Sequence, residues 1–106
     1  MSATPIDAAP NRDFFAELQA IEEDIEFLHP KQVYLRDTWY PIRRRLILLD
    51  QIAPTQEIMS MLVSASFIIY RIQDTRGPKH KEKIRQELLE SVRRIRRRAS
   101  AVANNT

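Results

Sequence analysis

Five of the six residues from 93 to 98 are arginine, and a second cluster, Arg43-Arg44-Arg45, stands mid-chain. Arginine outnumbers lysine 13 to 4. A guanidinium grips phosphate or carboxylate through a planar fork of donors, whereas an ammonium acts as a compact point charge. The chemistry these residues offer is therefore recognition of an anion. On a helical wheel Arg93, Arg96 and Arg97 project opposite the apolar stripe of the last helix, with Arg94 and Arg98 flanking that stripe. Arg36 and Arg43 are seven residues apart and nearly eclipsed on another helix. Arg44 points further round it, and Tyr40 between them can stack on a base or sugar. The competing expectation is a solvated charged face, with Tyr40 packed on its own core. Arg45, on the other flank, is expected to pair with acids of the first helix, and Glu90 with Arg93 or Arg94.

Other chemistry is poorly represented. Glu26-Phe27-Leu28-His29 matches one Glu-x-x-His element of carboxylate-bridged dimetal bundles, but such a site needs a second copy. The only other histidine, His80, has Gly77 three residues before it. Glu22, Glu23 and Glu26 form an acidic group with no apolar pocket in view to raise a carboxyl pKa. The single glycine rules out a phosphate-binding glycine loop, and the absence of cysteine removes thiolate metal sites and disulfides. We expect no metal, no cofactor and no enzymatic activity. Arg97-Arg98-Ala99-Ser100 fits a basophilic kinase motif, and phosphate there would oppose polyanion binding.

The elements that position these groups follow from apolar spacing. At 106 residues, 43% of them hydrophobic, the chain is one small domain with enough apolar material for a core. One glycine and six prolines favour a few long helices over a turn-rich β fold. Residues 1–10 are expected to be a flexible tail, residues 11–102 a single helical domain and residues 103–106 a frayed end. Asn11 can cap a first helix whose stripe is Phe14, Leu18, Ile21, Ile25 and Leu28. A second helix, about 32–52, keeps Leu35, Trp39, Ile42, Leu46, Leu49 and Ala53 in phase through Pro41, which favours one helix kinked at Pro41. The alternative caps a new helix at Thr38. The third helix, about 55–75, begins at a Thr55 cap and buries Ile58, Leu62, Ala65, Ile69 and Ile72. Gly77 should cap its end and Pro78 stop it. The last helix, about 79–101, lines up Ile84, Leu88, Val92, Ile95, Ala99 and Val102. The fold class expected is an all-α bundle of four helices.

Two helices are apolar on more than one side. Ile47, Leu48, Met59, Val63 and Phe67 point away from the main stripes and need a second cover, most simply another copy of the chain. Charge is uneven as well: residues 11–29 hold six acids and one arginine, while residues 77–98 are strongly basic. The basic surface suits a polyanion if exposed, and is internal if the acidic helix covers it. The longest uncharged run, 58–70, is too short for a bilayer, and residues 1–10 lack the pattern of a signal peptide. An intracellular protein, cytoplasmic or nuclear, is expected.

The combined expectation is a helical homodimer binding duplex RNA, or DNA, through Arg36, Tyr40, Arg43, Arg44, Arg93, Arg96 and Arg97. Duplex RNA is preferred because the chain offers long arginine-bearing helices and no short recognition helix. At the level of architecture such an assembly resembles the small helical silencing suppressors of some RNA viruses, a likeness that no motif carries. The alternative is an adaptor or assembly subunit. Its apolar faces would supply binding energy, and its basic end would steer an acidic partner.

Overall fold

A computed structural model describes residues 4–104 of the chain, with side chains described from residue 12 to residue 103. The described elements are α1 (Thr4–Glu26), α2 (Pro30–Tyr34), α3 (Arg36–Leu48), a 3-10 turn (Leu49–Ile52), α4 (Gln56–Asp74) and α5 (Pro78–Asn104). No strand occurs among the described residues. The protein is a small all-α bundle whose long helices run antiparallel in the cyclic order α1, α3, α4, α5.

The expected stripes are the core. Phe14, Leu18, Ile21 and Ile25 of α1 are fully buried, as are Ala65, Ile69 and Ile72 of α4 and Leu88, Val92, Ile95 and Ala99 of α5. Burying each large side chain of this kind stabilises the fold by about 1.5–3 kcal/mol before the entropy of ordering it is subtracted. Helix α1 starts at Thr4, so Asn11 lies within it rather than at its cap. Residues 1–3, 105 and 106 lie outside the described residues.

The expected second helix is divided, and the break falls at Leu35 rather than at Pro41. Three local interactions explain why. His29 caps α2: its Nδ1 accepts from the Lys31 amide at 3.1 Å, and Gln32 Oε1 accepts from the His29 amide at 3.0 Å. Pro30 supplies a first residue with φ already suited to a helix. Trp39, fully buried, donates its indole N–H to the Val33 carbonyl at 3.0 Å. That carbonyl sits in the last turn of α2, where no intrahelical donor remains. Leu35 therefore leaves the stripe and is exposed. Thr38 lies inside α3 and caps nothing. Pro41 also lies inside α3, and the carbonyl its ring leaves without a donor belongs to exposed Asp37, which solvent reaches.

The other boundaries follow the sequence more closely. The Thr55 hydroxyl accepts from the Ile58 amide at 3.1 Å and starts α4. The helix closes at Thr75, whose amide donates to the Arg71 carbonyl at 2.9 Å. Gly77 takes the positive φ of the following turn, at 96°, but is not the cap residue itself. Pro78 opens α5 instead of only stopping α4.

Candidate nucleic-acid interface

The acidic helix α1 covers part of the basic helix α5. Arg93 Nε donates to Glu22 Oε2 at 3.2 Å, and Arg93 Nη2 donates to Glu26 Oε1 at 3.0 Å. Arg96 Nη1 lies 3.1 Å from Glu22 Oε1, an ionic contact without hydrogen-bond alignment. Glu22 is only 7% exposed, so both arginines serve to satisfy a carboxylate within the fold. Arg97 bonds Glu90 two turns earlier at 3.0 Å, a partner the sequence had assigned to Arg93 or Arg94. Arg98 reaches Glu57 of α4 at 2.8 Å. Arg94, expected to flank the core, is exposed and has no carboxylate at ion-pair distance among the described residues. The row Arg93, Arg96 and Arg97 is thus largely neutralised by neighbours. The sequence left both outcomes open, because a helical wheel does not say which helix packs alongside, and the acidic α1 covering Arg93 and Arg96 is the internal alternative.

Arg45 meets the expectation made for it. It pairs with Glu17 at 2.7 Å and with Asp24, both on α1. Burial disfavours its charge, but hydrogen bonds to Asp24 and Glu17, with their Coulombic attraction, outweigh that and raise the guanidinium pKa above its ordinary value. Arg85 behaves alike: its bond to Glu82 raises its pKa, and Nη1 also donates to the Ile25 carbonyl at 2.9 Å, fastening α5 to the end of α1.

The outer side of α3 differs. Arg36 and Arg44 are exposed, and neither side chain has a hydrogen-bond or ion-pair partner among the described residues. They lie eight residues apart, about 12 Å along the axis at ~1.5 Å per residue. Tyr40 sits between them and is exposed. Arg43 turns toward α4. Its guanidinium carbon lies 4.7 Å from the Tyr70 ring centroid and 5.4 Å from that of Tyr40, and Nη1 donates to the Tyr70 hydroxyl at 2.7 Å. Ring quadrupoles and a hydroxyl hold this cation in place, yet no carboxylate cancels its charge. Arg43 Nε is buried and has no acceptor. The structure therefore gathers Arg36, Tyr40, Arg43 and Arg44 into one uncompensated face and separates them from Arg93, Arg96 and Arg97. Tyr70 belongs to this cluster and was missed, since sequence spacing along α3 says nothing of its partner on α4.

The apolar residues awaiting a cover also divide. Ile47, Val63 and Phe67 are 45%, 46% and 59% exposed on the α3 and α4 surfaces. Met59 is half-buried. Leu48, 48% exposed, instead borders a hollow of about 400 Å³ with Asp13, Glu17, Arg45, Leu49 and Ile52 on the α1 side.

His29 is the cap of α2 and Glu26 a partner of Arg93, so the Glu-x-x-His pair is used locally. Among the described residues no three His, Asp or Glu side chains converge as a metal site would require. No described helix is long and apolar enough to cross a membrane. The chain matches no protein-family model, no curated protein and no solved structure.

Proposed function

We propose that this protein is a non-enzymatic binder of duplex nucleic acid, with RNA the preferred ligand, and that α3 is its contact helix. One observation carries the reading. Arg36, Arg43 and Arg44 share an accessible side of α3 without a carboxylate partner among the described residues. Most other arginines with described side chains are engaged by acids. Phosphate would supply the missing countercharge. Guanidiniums spaced along a helix can follow a row of phosphates without reading bases, which suits the shape-directed recognition typical of double-stranded RNA. Tyr40 adds a π face beside that row. In this reading Arg93 and Arg96 stabilise the fold and contribute little to affinity.

Retention on a short RNA duplex tests it. Counterion release makes such binding strongest at low salt, so clear retention is expected at ~50 mM salt, with affinity falling by orders of magnitude toward ~200 mM. No retention at ~50 mM salt refutes it.

A second reading, an adaptor that docks an acidic protein, is favoured by the exposed Ile47, Val63 and Phe67. Arginine, tyrosine and phenylalanine together are the residue types enriched at the centres of protein interfaces. Under that reading the protein ignores duplexes and instead captures an acidic partner in a salt-sensitive complex.

A further inference from the structure

We propose that the outward face of α4 is a homodimer interface, in which α4 lies antiparallel to α4 of a second copy with Ser64 at the twofold axis. The face is a regular stripe, Glu57, Ser60, Ser64, Phe67 and Arg71, spaced by three and four residues, and every member is exposed. The stripe is self-complementary about its middle. Glu57 lies seven residues before Ser64 and Arg71 seven after it. A twofold axis at Ser64 reverses the helix and brings Glu57 of each copy level with Arg71 of the other. Ser60 and Phe67 stand at nearly equal distances on either side, so the exposed Phe67 ring lies over a small serine. Small residues at the crossing let two helices approach closely enough for that ring to be covered.

The flanking charges agree. Glu57 is held by Arg98 at 2.8 Å and Arg71 by Glu87 at 2.7 Å, both pairs on the surface. Antiparallel pairing links them into an alternating row at each end of the interface: Arg98, Glu57, then Arg71 and Glu87 of the second copy. Helix α3 fits the same symmetry. Arg43 bonds Tyr70, and the Arg36 carbonyl accepts from Gln73, so Ile47 comes level with the middle of α4. Ile47 and Val63 therefore lie beside the axis, while Arg36, at the start of α3, lies toward an end. The inference is independent of the nucleic-acid reading, because it concerns the protein alone.

Sedimentation equilibrium of the full chain, without nucleic acid and over a wide concentration range, is the test. The expected mass is twice the 12.5 kDa of one chain. Glu57→Arg alone and Arg71→Glu alone each place like charges opposite one another at both ends, and each should weaken the dimer by about tenfold or more. An equimolar mixture of these two variants should restore it, because the heterodimer has opposite charges at both ends. Ser64→Arg should give monomers of parent helicity, since Ser64 is exposed, whose melting temperature no longer rises with protein concentration as the parent's should. A parent chain that stays monomeric, a dimer that survives Ser64→Arg, or a mixture no tighter than its components would each overturn the proposal.

Discussion

Arg93 donates to Glu22 across the seam between α5 and α1, and that one contact divides the basic residues of the chain into two groups. On α5, Arg93 and Arg96 satisfy Glu22, a carboxylate that the fold has drawn out of water, and Arg97 and Arg98 meet exposed acids. On α3, Arg36 and Arg44 have no such task. Charge that is already compensated adds little to a phosphate contact, so the division predicts which substitutions affect stability and which affect binding.

Glu22→Gln is the first case. The change leaves Arg96 without its partner and weakens one of the two bonds to Arg93. Both arginines are partly exposed, so solvent offsets part of the loss. The expected destabilisation is about 1–2 kcal/mol. A lower urea midpoint with an unchanged slope would confirm it, and an unchanged midpoint would show that the seam contributes nothing.

Trp39→Phe examines the break at Leu35. Phenylalanine fills much of the same space but cannot donate to the Val33 carbonyl. The lost bond and the smaller ring together should cost about 1–3 kcal/mol. Hydrogen exchange should quicken across α2 relative to α5. A stability equal to the parent would mean that the indole bond does not hold α2 in place.

Much of this architecture was legible in the sequence. The stripes of α1, α4 and α5 are the observed core because each helix buries one continuous face, and period alone reveals it. The Thr55 cap was legible because its chemistry is local. The break at Leu35 was not, because it depends on Trp39 reaching back to a carbonyl on another helix. The site was half legible. Arg36, Tyr40, Arg43 and Arg44 share one helix face and could be grouped by spacing. The neutralisation of Arg93 and Arg96 depends on which face of α1 opposes α5, which no single helix encodes.

Acid should unsettle α5. The bond from Arg85 holds the Glu82 carboxyl below its ordinary value of 4.5, against a smaller opposing effect of burial, and the bond from Arg97 likewise lowers that of Glu90. A carboxyl with a lowered folded pKa stabilises the protein at pH values above its unfolded pKa. That stability is lost as the pH falls through the folded pKa. The melting temperature should therefore be flat from about pH 7 to pH 5 and fall below about pH 4.5. Glu82→Gln should make the acid limb shallower. An acid limb identical to the parent would contradict the role given to Glu82.

Leu48→Glu separates the two apolar surfaces. Leu48 borders the hollow beside Asp13 and Glu17, away from the Ser64 stripe. Its substitution should leave the sedimentation mass unchanged, whereas Ile47→Glu should lower it. Dissociation by Leu48→Glu would move the interface to the α1 side of α3.

The central claim is that the unpaired guanidiniums of α3 meet phosphate. Its most direct measurement is the salt dependence of affinity for a short RNA duplex, compared among the parent, Arg36→Gln/Arg44→Gln and Arg93→Gln/Arg96→Gln. Each lost phosphate contact lowers the slope of log affinity against log salt by about one. The account predicts a steep slope for the parent, a slope shallower by about two for each bound copy of the α3 variant, and near-parent binding for the α5 variant wherever it is folded. Parent-like binding by the α3 variant, or no binding by the parent at ~50 mM salt, would contradict it.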